Sequence, residues 1–387
     1  MSPPKKEVMR LTSLELENWK NFSHVEVNLQ RRVFLVGPNA SGKSNFLDVF
    51  RFLRDIVDVG GGFQEAVQRR GGVTAIRCLA ARRYSEIGIC VTFGPVDEPN
   101  RWEYELRFNQ DQQRRQLITK ERVSRSGEDL VLRPNSEDEK DPVRLSQTYL
   151  QQINVNQEFR QVAEFFASIN YRHIVPQLIR EPDRYIGPED DPFGGDFLEQ
   201  IATTNQRTKE ARLKRIGEAL KVAVPQLEDL ELTRDDRGQP HLRGKYEHWR
   251  PQGAWQMEDQ FSDGTLRLMG LLWSVLDGTG PLLLEEPELS LHPGVIRYLP
   301  QMFARLQRRN KRQLLVSTHS SDLLRDSGIG LDEVLLLIPE RGGTQVKLAS
   351  EFQEIHDLLA GGLTLADAVI PLTQPKDAEQ LALFEGL

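Results

Sequence analysis

Residues 37–45 read Gly-Pro-Asn-Ala-Ser-Gly-Lys-Ser-Asn and fit the spacing G-x-x-x-x-G-K-[ST]. That pattern suits the grip of a polyphosphate. Gly37 and Gly42 free the backbone N–H groups to converge on an anion. Lys43 adds a point charge for the outer phosphates, and Ser44 a hydroxyl for Mg²⁺. Pro38, Asn39, Ala40, Ser41 and Asn45 complete the segment. Far downstream, Glu285 and Glu286 close an apolar run, Leu282–Leu283–Leu284. One carboxylate in that place can hold Mg²⁺, while its neighbour orients and deprotonates an attacking water, a role typically worth about 10²–10⁴ in rate. His319 closes another apolar run, Leu314–Val316, where an imidazole can bond a terminal phosphate and register its loss. Together these residues point to binding and cleavage of a nucleoside triphosphate.

Such groups need a scaffold, and the pattern supplies one. Val33–Val36 reads as a buried strand, and Phe46, Leu47, Phe50 and Leu53 recur on one side of a helix that follows the glycine loop. Three apolar strands, each ending in polar residues, imply a parallel sheet with its working edge at the strand C-termini. Phe261–Ser262–Asp263–Gly264–Thr265 precedes a further helix carrying Leu266, Leu268, Met269, Leu272 and Val275. Ser262 and Asp263 favour a helix N-cap, and the free N–H groups of such a start also bind anions.

Taken in order, residues 11–29 alternate like two strands joined at Trp19–Ser23. Ile87–Phe93, Trp102–Phe108 and Gln116–Ser124 read as an antiparallel meander. These segments define an N-terminal lobe over 1–133. The charged, Pro-bounded stretch 134–142 reads as a linker. It opens a middle insertion, 134–250, that is mainly helical from 147 to 222, with loops at 181–182 and 187–192. The insertion closes on a hairpin around Asp235–Gly238. A C-terminal lobe covers 251–340, and an extension with a mobile tail covers 341–387.

The chain of 387 residues is 39% hydrophobic and 28% charged, with net charge −7, which argues against a surface that is basic throughout. No apolar run approaches the roughly 18 residues of a membrane span, and the first residues lack the apolar core of a secretory leader. Two cysteines form no disulfide framework, so a reducing, cytoplasmic setting is expected.

The order of strand, phosphate loop, Phe-Ser-Asp-Gly-Thr, acidic strand end and Thr-His resembles the ABC-type ATPase head of the soluble RecF, SMC and OLD-like ATPases. The likeness covers about residues 10–60 and 255–340. It implies an α/β P-loop NTPase of ABC-ATPase type, with an antiparallel β lobe and a mainly helical middle insertion. No heptads are sustained over several turns, so no long coiled coil is expected, and no Toprim nuclease domain. It implies ATP with Mg²⁺, Lys43, Glu286 and His319 as catalytic groups, and Ser44 with Glu285 on the metal. By the same resemblance the chain forms a homodimer on binding ATP, in which Ser262, Asp263 and Gly264 face the nucleotide held by the partner's loop. Asp263 and Thr265 depart from the commoner Gly-Gly-Gln form, and Glu285 stands where many relatives carry Asp. Glu288 and His292 fall in the expected subunit-contact loop, and Gln64 and Gln68 are candidates to sense Mg²⁺.

The expected output is a switch for DNA handling or for a separate effector nuclease, in DNA repair or phage defence. About 47 residues follow Glu340, too few for a nuclease domain. The alternative is an ATP-binding scaffold without turnover. Three basic clusters, Arg114–Arg125, Arg207–Arg215 and Arg305–Arg312, are candidates for DNA phosphates or simply solvated faces. Gln380–Leu381–Ala382–Leu383–Phe384 resembles the peptide by which bacterial proteins dock on a sliding clamp, and also reads as a tail folding back on its own domain.

Overall fold

The structure is a computed structural model that describes residues 7–80, 86–181, 191–249 and 254–374. The clamp-like Gln380–Phe384 and most of the loop 181–192 lie outside the described residues. Fifteen strands appear in them: β1 (Arg10–Trp19), β2 (Phe22–Asn28), β3 (Arg32–Val36), β4 (Ile87–Gly94), β5 (Trp102–Gln110), β6 (Gln116–Arg125), β7 (Glu128–Arg133), β8 (Asn170–Arg172), β9 (Leu227–Arg234), β10 (Pro240–Tyr246), β11 (Ala254–Met257), β12 (Leu282–Glu285), β13 (Leu314–Thr318), β14 (Val334–Glu340) and β15 (Gly343–Leu348). The chain divides into two compact units. The first comprises 1–170, 279–283 and 303–387, and the second 171–278 and 284–302.

The first unit holds a six-stranded antiparallel sheet, β2-β1-β4-β5-β6-β7, as the alternation predicts. Leu14, Leu16, Val25, Ile89, Val91, Tyr104, Leu106 and Val123 point to one face and are buried. Glu15, Glu17, Glu26 and Glu103 take the other, as a two-residue period requires. A second sheet has the order β15-β14-β3-β13-β12-β8, with β13 and β14 parallel to β3 and β15 antiparallel at the edge.

The helix Lys43–Val57 buries Phe46, Leu47, Phe50, Phe52, Leu53 and Ile56. Trp19 and Phe108 meet Phe52 at ring-centroid distances of 5.3 and 5.6 Å. Each such ring contributes roughly 1.5–3 kcal/mol on leaving water, so the helix that follows the phosphate loop is held by its apolar side.

Residues 134–142 are not a linker. Ser136–Lys140 forms a helix with a capping box on Asn135, inside the first unit. Arg133 is fully buried, bonded to Asp138 at 2.8 Å and to Glu121 at 3.0 Å. Its guanidinium also reaches the carbonyls of Gln147 (2.8 Å) and Arg144 (2.9 Å). A charged stretch reads as solvated, but here one of its acids is the counter-ion of a buried arginine.

In the second unit, β9, β10 and β11 form a small antiparallel sheet beside the 18-residue helix Gln206–Ala223. The helix Asp263–Leu276 is apolar nearly all round and buries eleven of its residues, as a helix at the centre of its unit must.

Candidate nucleotide site

The phosphate loop lies in the first unit, where β3 runs into its helix. Parallel pairing sets Val36 level with Thr318. Gly37 and His319 therefore leave neighbouring strands at the same edge, and His319 is exposed there. The register thus sets His319 at the sheet edge from which the loop also leaves.

The loop's shape depends on small residues. A Cβ on Gly37 would come within 2.6 Å of Ser41 Oγ and 2.8 Å of the Leu337 carbonyl oxygen. Ala40 and Gly42 adopt left-handed backbone, with φ of 62° and 99°; the glycine takes it without strain. Lys43 Nζ arches back to donate to the carbonyls of Gly37 (2.9 Å) and Pro38 (3.1 Å).

Ser41 Oγ is buried without a hydrogen-bond partner among the described residues. A hydroxyl donor left over inside a glycine cradle, beside an ammonium group, fits an anion with several acceptor oxygens. On the same segment Asn39 and Ser44 are exposed, and Pro38 and Asn45 half-buried. Gln64 does not face solvent freely: its Nε2 donates to the carbonyls of Gln116 and Ser146, at 3.0 and 2.9 Å. Gln68 is exposed.

The acidic and capping groups gather in the second unit. Glu285 accepts a hydrogen bond from the Tyr171 hydroxyl. Glu286 follows with φ of 43°, uncommon for a residue bearing a Cβ, and such outliers cluster at functional sites. Its carbonyl accepts from Leu289 N at 3.2 Å, and Arg267 Nη1 lies 3.5 Å from the same oxygen. Arg267 is buried. Loss of water lowers the pKa of its guanidinium, and the carboxylates of Glu288, Asp263 and Glu286 act against that shift.

Ser262 caps its helix, accepting from Thr265 N at 3.2 Å. Gly264 admits no side chain, because a Cβ would lie 2.6 Å from the Ser290 carbonyl oxygen. Asp263 would repel a phosphate, but Arg180 donates to it at 2.6 Å and Gln177 at 3.1 Å. Its charge is compensated within its own unit. Glu288 is buried, and His292 caps the short helix Pro293–Ile296 by accepting from Gly294 N at 3.0 Å.

Tyr171, Arg180 and Arg267 escaped the sequence reading, since each acts on a residue far away in the chain or on a backbone atom. The basic clusters are less available than their runs suggest. Lys120 and Arg122 pair with acids of the first sheet, Arg212 pairs with Asp277, and Arg312 is buried against the Gly280 carbonyl.

Residues 32–326 match the family described as "AAA domain, putative AbiEii toxin, Type IV TA system". Among solved structures, the chain is similar to an SMC head bound to the C-terminal winged-helix domain of ScpA, at 14% identity and a TM-score of 0.56, covering 87% of this chain and 97% of that one. It is also similar to an Smc head with an extended coiled coil, bound to the C-terminal domain of ScpA from Pyrococcus furiosus (11%, TM-score 0.51, 91% and 100% covered). A third is an Smc head with coiled coil and joint from Pyrococcus yayanosii (11%, TM-score 0.50, 89% and 99% covered). At these identities the likeness is one of fold. No curated protein matches the chain. Among the described residues, no helix is long and apolar enough to cross a membrane.

Proposed function

The chain belongs to the family described as "AAA domain, putative AbiEii toxin, Type IV TA system", and from that premise we propose that it is an ATP-hydrolysing switch. The observation that carries this reading is the glycine cradle of residues 37–44, with Lys43 over it and an unpartnered buried hydroxyl within it. In this reading Gly37, Pro38, Asn39, Ala40, Ser41, Gly42 and Asn45 shape the cradle, and Lys43 exchanges its bonds to the loop carbonyls for the outer phosphate oxygens.

Ser44 and Glu285 would hold Mg²⁺, which when bound neutralises charge on the phosphates. Glu286 accepts a proton from the attacking water, and His319 donates a hydrogen bond to the terminal phosphate oxygen and loses that bond on cleavage. Ser262, Asp263 and Gly264 present a capped helix start to the nucleotide of a second copy, so ATP binding would join two chains and hydrolysis would part them. The output acts on a separate protein, an effector nuclease or toxin, or on DNA. The SMC heads bound to ScpA domains support the protein-partner reading.

ATP affinity and steady-state turnover of three proteins test this. Wild type is expected to hydrolyse ATP, and Lys43→Ala to lose ATP binding. Glu286→Gln should bind normally and turn over about 10²–10⁴ more slowly. Normal affinity in Lys43→Ala would remove the phosphate-loop assignment. Undiminished turnover in Glu286→Gln would remove Glu286 as the base, and a wild type that binds ATP without turning it over would leave a nucleotide-binding scaffold.

A further inference from the structure

We propose that Asn21 is a positioning residue for the phosphate loop, and that it ties the loop to the turn between β14 and β15. The proposal rests on the reading that residues 37–44 hold ATP. Asn21 lies in the two-residue turn that joins β1 to β2, where Trp19 pairs with Phe22. The turn is fixed from behind, because Lys20 N donates to the Ile76 carbonyl at 2.6 Å. The carboxamide then spends each of its polar groups on a different segment. Nδ2 donates to the Ser41 carbonyl at 2.7 Å and to Thr344 Oγ1 at 2.7 Å. Oδ1 accepts from Asn45 Nδ2 at 2.8 Å, and the Asn21 main-chain carbonyl accepts from Thr344 N at 2.7 Å.

The bond to Ser41 has the greatest consequence. A trans peptide is planar, with its C=O and N–H pointing in opposite directions. Holding the Ser41 carbonyl against Asn21 therefore fixes the direction of the Gly42 N–H, which belongs to the same peptide and to the cradle. The carboxamide also lies where a Cβ on Gly42 would be, so that glycine is what lets the turn approach. The second anchor, Asn45, sits in the first turn of the helix, and its carbonyl accepts from Trp19 Nε1 at 2.9 Å. The β1–β2 turn thus pins the loop on both sides of Lys43.

A cradle whose N–H groups are set beforehand binds its anion without first ordering them, so the effect belongs to affinity rather than to bond cleavage. Serine is too short to span all three segments. Aspartate keeps the shape but loses both donors.

The test uses the full chain with Asn21→Ala, the isosteric Asn21→Asp, Thr344→Val and the double variant Asn21→Ala/Thr344→Val. ATP Kd, KM and kcat are measured, with a melting temperature to verify folding. Asn21→Ala and Asn21→Asp are each expected to raise Kd and KM about tenfold, with kcat at saturating ATP within about threefold of wild type. Thr344→Val should shift Kd less and in the same direction, and add nothing in the Asn21→Ala background, as linked residues do. Wild-type Kd and KM in folded Asn21→Asp, or a fall in kcat at constant KM, would overturn the proposal. Full additivity of Thr344→Val would remove the link to the β14–β15 turn. A wild-type protein that does not bind ATP would instead remove the reading of the loop itself.

Discussion

Tyr171 shows what a single side chain can decide. Its hydroxyl donates to Glu285, the carboxylate proposed to hold Mg²⁺, and it is itself buried. An outer partner of this kind orients its carboxylate, and losing one typically costs about 10–100-fold in metal affinity. Tyr171→Phe keeps the packed ring and deletes only the donor. The Mg²⁺ concentration giving half-maximal ATP turnover should rise about tenfold, while nucleotide affinity without the metal stays as in wild type. Titration of Mg²⁺ against turnover checks this, and an unchanged requirement would mean that Tyr171 only fills space. The same scale shows where sequence is readable. Gly37, Gly42 and Lys43 were legible because one short segment contains all of them. Tyr171, Arg180 and Asn21 were not, because each partner is fixed by folding and no local spacing records it.

At the scale of elements, period-two alternation was enough to find β1, β2 and β4–β6, and apolar runs ending in polar residues were enough to find β3, β12 and β13. Residues 134–142 failed the same approach because composition cannot separate a solvated charge from a paired one. Arg133 puts a magnitude on that failure. Arg133→Met would leave Glu121 buried without its cation and Asp138 with only Arg144, at 3.4 Å, a loss of about 3–5 kcal/mol for one partner of a buried pair. Glu121 is the more exposed to that loss, since burial already raises its pKa while Arg133 and the Tyr149 and Leu150 amides hold it down. Urea denaturation should show a clearly lower midpoint for Arg133→Met at pH 7. Arg133→Lys should recover only part, since an ammonium cannot span Asp138, Glu121 and two carbonyls at once. A midpoint like that of wild type would show that the network contributes specificity without stability.

For the whole molecule, the order of motifs conveyed the P-loop architecture, whereas residues 171–249 of the second unit carried little signal, their helices being packed by contacts that no motif marks. What the assembled chain does depends on whether two copies meet. In the proposed reading the phosphate cradle and the capped helix start with its neutralised Asp263 are two halves of an anion site, and a second copy would offer the same halves in return. A symmetric pair would then close over two nucleotides, and its lifetime would be set by cleavage. Glu286→Gln blocks that exit while leaving both halves intact. In a sizing run with ATP and Mg²⁺ it should elute at twice the chain mass, and without nucleotide at the mass of the resting protein. Adding Ser262→Arg should abolish the shift yet leave ATP bound at one per chain, because the bulk falls on the helix start and spares the cradle. If Glu286→Gln with saturating ATP eluted as it does without nucleotide, the closing of two copies over ATP would be wrong, and the switch would have to work within a single chain.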